Sequence, residues 1–551
     1  MNQLSPIGGQ LLITDFLFRA RDMFGRKEII EYTEGVETHR YDYATYADRV
    51  IRLAGALVEL GVRPGDRVAT LAWNHHRHLE LYMAIPLAGA VLHTVNLRLE
   101  PDEIAYIVDH ADDTMIFADA SLLPLLDVTR SRRPQMKVVV TDEPEYADAV
   151  AGYEQLIAES TLLAEIPPRT ENDLAALCYT SGTTGAPKGV GYTHRALYLH
   201  TFAACLADGH AISERDRVCH VVPMFHANAW GIPFAALMSG AEQVLPGPHP
   251  TPPQIATIVA AESVTYTGMV PTVAVDLLDH AVASGTDFSS LRALVLGGST
   301  PSVRLIADLE DKLGVRVFQG WGMTEISPMA TFSRPPAAAD DDPALRHDHV
   351  RKQGRLLPGL HWKLVDAEGS EVPQDGKSQG EVLMRGPWVA TTYYNESHPD
   401  KFVDGWLRTG DIGIIDEQGY LEIVDRAKDL IKSGGEWISS VALEQALLQN
   451  SAVADAAVIA VKHPRWQERP VAFVVFHQGE RLSSQAVLDE LAERVPKWWL
   501  PEQIVATDVL PRTSVGKVDK KTLRTSASEQ ADLWDPTNAT IAAVPHGGVS
   551  S

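Results

Sequence analysis

The chain has 551 residues, of which 45% are hydrophobic and 22% charged, a composition typical of a folded globular protein. This length allows about two to four domains. Asp and Glu number 72 against 48 Lys and Arg, which gives a formal net charge of −24. Because so acidic a surface repels phosphate backbones and anionic lipids, nucleic acids and membrane surfaces are not expected as partners. A small anionic substrate is compatible with this charge, since a pocket can be locally positive.

The three cysteines, Cys178, Cys205 and Cys219, are scattered and form neither a CxxC pair nor a Cys/His metal-binding spacing. Neither a disulfide framework nor a structural zinc site is therefore expected. The first residues lack the basic and apolar regions of a secretion signal, and no apolar run reaches the roughly 18 residues that a membrane span needs. These features predict a cytoplasmic protein without a membrane span.

Residues 1–170 alternate between helical and strand patterns. The helical segments carry apolar residues at helical spacing, and the strands are short apolar runs that follow turn signals. The expected elements are a helix at 41–60, a strand at 67–73, a helix at 78–88, a strand at 90–95, a helix at 101–110 and a strand at 114–118. Strand, helix and strand at this pitch predict βαβ units and a largely parallel sheet.

The same alternation returns further along the chain, with a strand at 291–297, a helix at 301–313 and a strand at 315–319. Residues 334–348, RPPAAADDDPALRHD, are rich in Pro, Ala and Asp and predict a surface loop. Residues 362–394 then change to short strands separated by Gly and Pro turns. This change predicts an all-β appendage on the α/β core.

A second change of pattern falls near residues 425–428. Beyond it the pattern predicts a small α+β unit, with a helix at 440–448, strands at 456–462 and 471–477, and a helix at 483–494. The last residues, 526–551, have few large apolar side chains and are predicted to be disordered. The predicted fold class is therefore α/β. A large domain over 1–427 has parallel α/β sheet subdomains and a small β-barrel-like subdomain, and a small α+β domain follows over 428–525.

The motif that points most directly to chemistry is YTSGTTGAPKGV, residues 179–190. Glycines let the backbone turn tightly and present N–H groups, hydroxyls donate hydrogen bonds, and Lys188 adds a positive charge. Such a loop suits a polyphosphate, and its candidate ligands are Thr180, Ser181, Gly182, Thr183, Thr184, Gly185 and Lys188. It is not a Walker A loop, because Lys188 stands between Pro187 and Gly189. A plain flexible loop is the alternative, but linkers seldom contain Pro-Lys-Gly before an apolar residue.

Four further motifs follow in a fixed order: QGWGMTE at 319–325, RTGD at 408–411, DRAKDLIKSGG at 425–435 and PRTSVGK at 511–517. Together with the phosphate loop they resemble the adenylate-forming, or AMP-binding, superfamily of acyl-CoA synthetases, peptide-synthetase adenylation domains and luciferases. The resemblance covers essentially all of residues 10–525. Five motifs in the family's order make chance agreement negligible.

The resemblance implies a nucleotide site for ATP and AMP. Its adenine and phosphate residues would be Gly298, Ser299, Thr300, Gln319, Gly320, Trp321, Gly322, Met323 and Thr324. Trp321 offers a flat apolar face for a purine, although the family more often has Tyr at this position. Glu325 has the oxygen ligands that Mg²⁺ prefers, and with Thr184 it is the implied magnesium site.

The resemblance also assigns roles in the carboxyl-terminal part of the chain. Asp411 would accept hydrogen bonds from the ribose hydroxyls, with Arg426 as a second ribose or phosphate contact. Lys428 would be the hinge about which a mobile small domain turns. Lys517 would be the catalytic lysine, because negative charge builds up when a carboxylate attacks the α-phosphate. The implied coenzyme A residues are Lys432, Gly434, Gly435 and Trp437.

The segment PMFHANAWG, residues 223–231, resembles the acyl pocket of this superfamily. His226 would lie near the acyl carboxylate, and Trp230 would gate an apolar acyl chain, with Gly320 and Gly322 beside it. A buried structural histidine and a plain core tryptophan are the alternatives. The implied catalytic set is thus Lys517, His226, Thr184 and Glu325.

The segments at 223–231, 428–440, 463–470 and 495–501 look most like the medium- and long-chain fatty acyl-CoA synthetase branch. The expected protein is an acid–thiol ligase that uses ATP, Mg²⁺ and coenzyme A on a small carboxylic acid. Alternatives are an acyl-AMP ligase that loads a carrier protein, a ligase for a short sulfur-bearing or aryl acid, a luciferase-like oxygenase and a non-catalytic nucleotide-binding protein. Homodimers are frequent in this branch, so a homodimer is a further expectation.

Overall fold

The computed structural model describes residues 9–142, 152–163, 165–180, 186–434, 436–513 and 517–529. The chain forms two compact units. Unit 1 comprises Met1–Pro301, Leu305–Trp362 and Met384–Leu407, and unit 2 comprises Ser302–Arg304, Lys363–Leu383 and Arg408–Ser551. The domain boundary predicted between residues 427 and 428 stays a prediction.

The strands of the described residues, in chain order, are β1 Glu28–Thr33, β2 Val36–Asp42, β3 Arg67–Leu71, β4 Val91–Thr94, β5 Asp113–Ala118, β6 Lys137–Val140, β7 Leu174–Tyr179, β8 Gly189–Thr193, β9 Arg217–Cys219, β10 Glu242–Leu245, β11 Tyr266–Met269, β12 Ala293–Leu296, β13 Val317–Gly322, β14 Met329–Phe332, β15 Arg355–Leu356, β16 His361–Val365, β17 Glu371–Val372, β18 Gly380–Arg385, β19 Phe402–Val403, β20 Trp406–Ile415, β21 Leu421–Arg426, β22 Ile431–Ser433, β23 Glu436–Ile438, β24 Val453–His463, β25 Gln467–Phe476 and β26 Gln503–Ala506.

The α-helices of the same residues are α1 Asp15–Phe24, α2 Tyr43–Glu59, α3 His76–Leu87, α4 Pro101–Ala111, α5 Asp127–Arg132, α6 Tyr153–Glu159, α7 His194–Cys205, α8 Ile232–Ser239, α9 Pro252–Ala261, α10 Pro271–Ser284, α11 Val303–Leu313, α12 Pro343–Val350, α13 Ser440–Leu447, α14 Ser484–Leu491 and α15 Lys520–Glu529. Among these residues no helix is both long and apolar enough to cross a membrane.

Two large sheets form the core of unit 1. One has nine strands in the order β15-β14-β13-β12-β11-β9-β10-β1-β2, and the other has six in the order β6-β5-β3-β4-β7-β8. The central pairs are parallel, for example β11 with β12, β12 with β13, and β3 with β4. Their strands are short runs of Val, Ile, Leu and Ala that are buried on both faces, as parallel sheets require.

The remaining sheets are smaller. A third sheet has the order β17-β16-β18-β20-β19, with β21 paired to β20. A fourth sheet, in unit 2, has the order β23-β22-β25-β24, with β26 paired to β25. The pairs β20–β21, β22–β23 and β24–β25 are antiparallel. The predicted fold class, a parallel α/β core followed by a smaller unit, is confirmed.

Helix caps place two elements that matter for the site. The Thr193 hydroxyl oxygen at the end of β8 accepts a hydrogen bond from Ala196 N at 3.0 Å, so α7 starts directly after the strand. The Ser439 hydroxyl oxygen likewise accepts from Ala442 N at 3.0 Å and starts α13. These side chains fix the direction in which each helix leaves its strand.

The structure differs from the predicted elements in three places. Within the predicted loop 334–348, helix α12 begins at Pro343, and the Arg346 guanidinium is buried against Glu310 at 2.6 Å, so that prediction was wrong there. Strand β13 continues to Gly322 because it pairs with β14. Helix α15 extends to Glu529, beyond the expected end at 525, and the rest of the predicted tail lies outside the described residues.

Candidate active site

The phosphate-loop motif connects the antiparallel strands β7 and β8. Its base is closed by two hydrogen bonds, from Thr180 N to Lys188 O at 3.0 Å and from Lys188 N to the Thr180 hydroxyl at 3.2 Å. The predicted ligands Ser181, Gly182, Thr183, Thr184 and Gly185 lie outside the described residues. The described residues at the two ends of the motif are therefore held together by the pairing of β7 with β8.

Two tyrosine side chains beside this loop leave little room for a side chain at Gly189. A Cβ there would lie 3.0 Å from Tyr394 Cβ and 3.1 Å from Tyr179 Cζ. The Tyr394 amide also donates to the Gly189 carbonyl at 2.7 Å. The segment at 390–394 is thus in contact with the strand that leaves the loop.

Tyr393, which lies outside the sequence motifs, connects Lys188 of this loop with the Glu325 carboxylate. Its hydroxyl donates to Glu325 Oε1 at 2.6 Å, and Lys188 Nζ lies 5.1 Å from the centre of its ring. Burial, and next the nearby Glu325 charge, raise the pKa of Tyr393 well above its usual value. The hydroxyl therefore remains protonated and is a hydrogen-bond donor.

Strand β13 brings the QGWGMTE motif to the carboxyl edge of the nine-stranded sheet. Gln319 is buried, and in the amide orientation that satisfies its neighbours its side-chain oxygen accepts from Gln353 Nε2 at 2.7 Å. The next residues, Gly320, Trp321, Gly322, Met323 and Thr324, are half-buried. A Cβ on Gly322 would lie 1.8 Å from the Pro328 carbonyl oxygen, so only glycine fits. The edge formed by the carboxyl ends of parallel strands is where α/β sheets commonly bind ligands.

Residues 298–300, which follow strand β12, reach the same edge. Gly298 has φ 86°, and both Gly298 and Ser299 are exposed. The Thr300 hydroxyl oxygen accepts from Gln353 Nε2 at 3.4 Å. Two predicted nucleotide segments, 298–300 and 319–324, therefore share the side chain of Gln353 as a neighbour.

Glu325 lies in a short 3-10 turn, Thr324–Ile326, and is buried. Its carbonyl accepts from Ala390 N at 2.8 Å, and the Thr324 carbonyl accepts from the Tyr192 hydroxyl at 2.8 Å. Tyr192 belongs to β8, so the turn is fixed to the strand that follows the phosphate loop. Within the described chain, Glu325 Oε2 has no hydrogen-bond partner.

Trp230 occupies space that two glycines leave open. A Cβ at Gly268 of β11 would lie 3.2 Å from Trp230 Cζ3, and one at Gly297 would lie 2.8 Å from Cη2. The same Gly297 Cβ would lie 3.3 Å from the carbonyl oxygen of Gly320. The indole therefore lies at the ends of β11 and β12, beside the glycine segment of β13.

The backbone that presents Trp230 is unusual. Residues Ala227, Asn228, Ala229 and Trp230 all have positive φ values, of 43°, 52°, 49° and 58°. A left-handed conformation is uncommon in non-glycine residues and tends to occur at functional sites. This run of residues, 227–230, projects the Trp230 side chain toward the strand ends.

The two histidines of this region differ in environment. His226 is half-buried, and its carbonyl accepts from Ala229 N at 3.0 Å. His200, on α7, is fully buried, and its Nε2 accepts from Met329 N at 3.3 Å. Burial lowers the pKa of His200 to about 4, so it is neutral at physiological pH.

In unit 2, the RTGD motif brings Asp411 opposite Arg426. The two residues are register partners in β20 and β21, and Arg426 Nε lies 2.7 Å from Asp411 Oδ1. Asp411 is 2% exposed, whereas the Arg426 side chain is 42% exposed. The carboxylate is therefore held in place by a partner that solvent can reach.

A buried polar cluster lies next to the predicted hinge residue Lys428, which is itself exposed. Asp425 Oδ2 accepts from the backbone amide and the hydroxyl of Ser440 at 2.6 and 2.7 Å. Lys520 Nζ donates to the Ser440 hydroxyl at 2.7 Å and pairs with Glu444 Oε1 at 2.7 Å. Burial raises the pKa of both carboxyl groups, and the Lys520 charge opposes that shift.

Lys517 is the first described residue after the gap at 514–516. Thr513 N donates to the Lys517 carbonyl at 2.7 Å, and Asp519 N donates to the Pro511 carbonyl at 2.8 Å. Residues 511–513 and 517–519 are therefore bonded to each other. Helix α15 starts at Lys520, directly after the second of these segments.

The predicted coenzyme A residues lie on the β22–β23 hairpin. Lys432 and Trp437 are register partners, with Lys432 Nζ 4.7 Å from the Trp437 ring centre. Lys432 also lines a cavity of about 570 Å³ together with Lys462, His463, Pro464, Gln467 and Glu468. Gly434 N donates to the Trp466 carbonyl at 2.9 Å, and Gly435 lies outside the described residues.

The described part of the chain contains no cluster of three or more His, Cys, Asp or Glu side chains that could hold a metal ion by itself. Magnesium in nucleotide sites is commonly bound by one or two carboxylates together with phosphate oxygens. Glu325, whose Oε1 is fixed by Tyr393 and whose Oε2 has no described partner, fits that mode of binding.

Comparison with known proteins identifies the family of this chain and finds the same fold. The chain matches the AMP-binding enzyme family over residues 17–394 and the AMP-binding enzyme C-terminal domain over residues 442–517. Its fold is similar to the crystal structure of the anthranilate CoA ligase AuaEII in complex with anthranoyl-AMP, with a TM-score of 0.86 and 26% identity over 96% of this chain and 99% of that one.

Curated relatives match over almost their whole length. A long-chain-fatty-acid–CoA ligase of Thermus thermophilus is 45% identical, over 94% of this chain and 95% of the relative. A 3-methylmercaptopropionyl-CoA ligase of Ruegeria lacuscaerulensis is 41% identical, over 93% and 97%. A medium-chain-fatty-acid–CoA ligase of Ectopseudomonas oleovorans is 39% identical, over 94% and 96%.

The fold and the family matches define a nucleotide-binding enzyme with a parallel α/β core. The chain belongs to the AMP-binding enzyme family, and the CoA ligases among its relatives place it with the acid–thiol ligases.

Proposed function

We propose that this enzyme activates a medium- to long-chain fatty acid as its acyl adenylate and then transfers the acyl group to coenzyme A. The observation that carries the substrate class is Trp230, an apolar side chain at the strand ends where Gly268 and Gly297 make room for it. An apolar surface at this place suits an acyl chain better than a polar acid. The 45% and 39% identities to two fatty-acid–CoA ligases support the same class.

In the first half-reaction a carboxylate oxygen of the acid attacks the α-phosphorus of ATP. The bond from that phosphorus to the bridging oxygen breaks, and pyrophosphate leaves with the electron pair. Lys188 and the phosphate loop at 180–185 bind the polyphosphate, and Lys517 stabilises the negative charge of the transition state. Thr184 and Glu325 are the proposed magnesium ligands. Bound Mg²⁺ would neutralise phosphate charge.

The nucleoside part of ATP is assigned to two further sets of residues. The adenine packs on Trp321 near 298–300, and Gln319, Gly320, Gly322, Met323 and Thr324 complete this surface. Asp411 accepts hydrogen bonds from the ribose hydroxyls. Its carboxylate is already held by Arg426, whose Nε lies 2.7 Å from Oδ1. A carboxylate held in this way loses little conformational freedom when it binds the sugar.

In the second half-reaction the sulfur of coenzyme A attacks the acyl carbonyl carbon. The bond from that carbon to the AMP oxygen breaks, AMP leaves, and the thiol proton passes to water. Lys432, Gly434, Gly435 and Trp437 are the proposed coenzyme A contacts, His226 lies near the acyl carboxylate, and Lys428 is the hinge of the small domain. We also propose that the reaction takes place in the cytoplasm.

A short thioether acid is the second candidate substrate, because the Ruegeria ligase that acts on 3-methylmercaptopropionate is 41% identical. The discriminating experiment measures AMP release from acetate to palmitate, 3-methylmercaptopropionate and aryl acids, with and without coenzyme A. AMP and thioester formed together from C6 to C16 acids would support the proposal. Preference for the thioether or an aryl acid would replace the fatty acid.

The acceptor is tested in the same assay. AMP without free thioester, restored by a phosphopantetheinylated carrier protein, would identify a carrier-loading acyl-AMP ligase. Oxygen consumption with light emission would identify a luciferase-like enzyme. No AMP release from any acid would contradict the proposed substrate class. Sedimentation equilibrium of the same preparation tests the expected homodimer.

A further inference from the structure

A further residue of unit 1 connects two groups of the proposed ATP site. Tyr393 is 4% exposed and contacts both Glu325 and Lys188. These two residues lie far apart in sequence, Glu325 in the 3-10 turn after β13 and Lys188 directly before β8. Tyr393 belongs to neither motif. Its hydroxyl bonds to Glu325, and its ring contacts Lys188.

The hydroxyl bond is directional. It is 2.6 Å long and goes to Oε1 of Glu325, whereas Oε2 has no partner within the described chain. A hydrogen bond to one oxygen of an ionised carboxylate fixes the plane of the group and leaves the other oxygen for a ligand. Partners of metal ligands commonly act in this way.

The ring contact concerns the phosphate loop. Lys188 Nζ lies 5.1 Å from the ring centre, within the distance at which a cation is attracted to an aromatic face. The ring itself is fixed by edge contacts to His398 and Phe402, at centre distances of 5.1 and 5.2 Å. Lys188 therefore lies against an aromatic ring that packs on two further rings.

The backbone around Tyr393 is bonded to the same two elements. Ala390 N donates to the Glu325 carbonyl at 2.8 Å, and Tyr394 N donates to the Gly189 carbonyl at 2.7 Å. Glu325 is therefore bonded twice to this segment, through its carbonyl and through its carboxylate, and Gly189, the residue after Lys188, is bonded to it once. The segment thus connects the backbone of the Glu325 turn with the backbone next to Lys188.

We propose that Tyr393 is a positioning residue, which orients the Glu325 carboxylate for Mg²⁺ and holds the Lys188 ammonium for the phosphates of ATP. The inference rests on the proposed roles of Glu325 and Lys188. Tyr393 acts only through these two side chains, so its hydroxyl affects the metal and its ring affects ATP.

The test separates the two contacts with two variants. Tyr393→Phe removes the hydroxyl and keeps the ring, and should weaken Mn²⁺ binding about tenfold or more in an electron paramagnetic resonance titration with a non-hydrolysable ATP analogue. The Mg²⁺ concentration for half-maximal adenylation should rise in parallel. Tyr393→Leu should in addition raise KM for ATP, because the ring is lost.

The matched control is Tyr32→Phe, which removes the same kind of bond far from the motifs. The Tyr32 hydroxyl donates to Glu262 Oε1 at 2.7 Å in a buried site. This variant should leave Mn²⁺ affinity and the Mg²⁺ dependence at the wild-type values. Equal shifts in Tyr32→Phe and Tyr393→Phe, or no shift in Tyr393→Phe, would overturn the proposal.

Glu325→Gln distinguishes this inference from the proposed function. If Glu325→Gln leaves Mn²⁺ affinity unchanged, Glu325 is not the metal ligand and the magnesium assignment fails. If Glu325→Gln weakens binding and Tyr393→Phe does not, only the positioning role fails. The double variant should bind Mn²⁺ no more weakly than Glu325→Gln alone, because both changes act on one carboxylate.

Discussion

Trp230 and Gly297 fit against each other so closely that a single carbon atom at Gly297 would come within 2.8 Å of the indole. Gly268, one strand away, is limited in the same way at 3.2 Å. The Trp230 side chain thus packs directly against the sheet, where β11 and β12 end. The proposed effect of Trp230 on acyl specificity can therefore be tested by substituting the glycines of the strands as well as Trp230 itself.

Trp230→Ala should change the acyl chain-length preference more than the KM for ATP. Removing an indole of this size changes apolar contact worth about 1.5–3 kcal/mol, so relative kcat/KM between a short and a long acid should change about tenfold or more. Kinetics over the C6 to C16 acids provide the measurement. The exposed Trp498 is the matched control, and Trp498→Ala should leave the profile unchanged. An unchanged profile in Trp230→Ala would rule out the gate.

Gly297→Ala should displace the indole and reduce activity toward the longest acids first. In the Trp230→Ala background the same substitution should have little effect, because the atom that it would strike is absent. A double-mutant cycle on kcat/KM measures this coupling. Additive effects would show that the two positions act independently.

Lys517→Ala should abolish acyl-adenylate formation and leave thioester formation from supplied acyl adenylate largely intact. The charge is needed only while the carboxylate attacks phosphorus, and loss of one such group costs about 100- to 1,000-fold in kcat. Lys521→Ala is a nearby control, since Lys521 is exposed at the start of α15. Equal losses in both half-reactions would contradict the division of roles.

Lys520→Met should destabilise unit 2 by about 3–5 kcal/mol, because Glu444 and Asp425 would lose their buried cation. Urea unfolding of the full chain, followed by tryptophan fluorescence, checks this value. Lys520→Met combined with Glu444→Leu should recover part of the loss. A wild-type unfolding curve for Lys520→Met would mean that the pair does not stabilise the fold.

Stability should fall as the pH decreases below about 6.5, partly because of His200. Burial lowers the pKa of His200 to about 4 in the folded state, against 6.5 for a free side chain. Between these values the unfolded chain binds the additional proton, so stability rises with pH, by at most about 1.4 kcal/mol per pH unit for this one group. His200→Asn should reduce the slope, and the exposed His361→Asn should not. Unfolding free energies from pH 4.5 to 8 provide the test.

Most of the fold could be predicted because its elements are encoded locally. The apolar run at 67–73 predicted β3, and the helical spacing of 101–110 predicted α4, which ends at Ala111. Helix α12 was missed within the predicted loop at 334–348. Its Arg346 pairs with Glu310 of α11, a contact that the sequence of the loop does not show. A pattern within 15 residues cannot reveal such a pair.

In the candidate site, too, residues that are adjacent in sequence could be predicted and long-range contacts could not. Glycine, hydroxyl and lysine residues in YTSGTTGAPKGV reveal a phosphate site because they are adjacent in sequence. Tyr393 lies 68 residues after Glu325, and its hydrogen bond to that carboxylate depends on the folding of the intervening strands. Its sequence context, Thr-Tyr-Tyr-Asn, resembles an ordinary turn. Only the folded chain reveals that contact.

The left-handed segment that carries Trp230 has a consequence for the order in which the enzyme loses its properties. Ala227, Asn228, Ala229 and Trp230 have φ values of 43° to 58°, and each such residue costs roughly 1–2 kcal/mol. Their sum is a sizeable part of the stability of a typical domain. The segment therefore persists only while its surroundings enforce it. Because Trp230 is the proposed acyl contact, heat, denaturant or distant mutations should alter acyl selectivity before they unfold the enzyme.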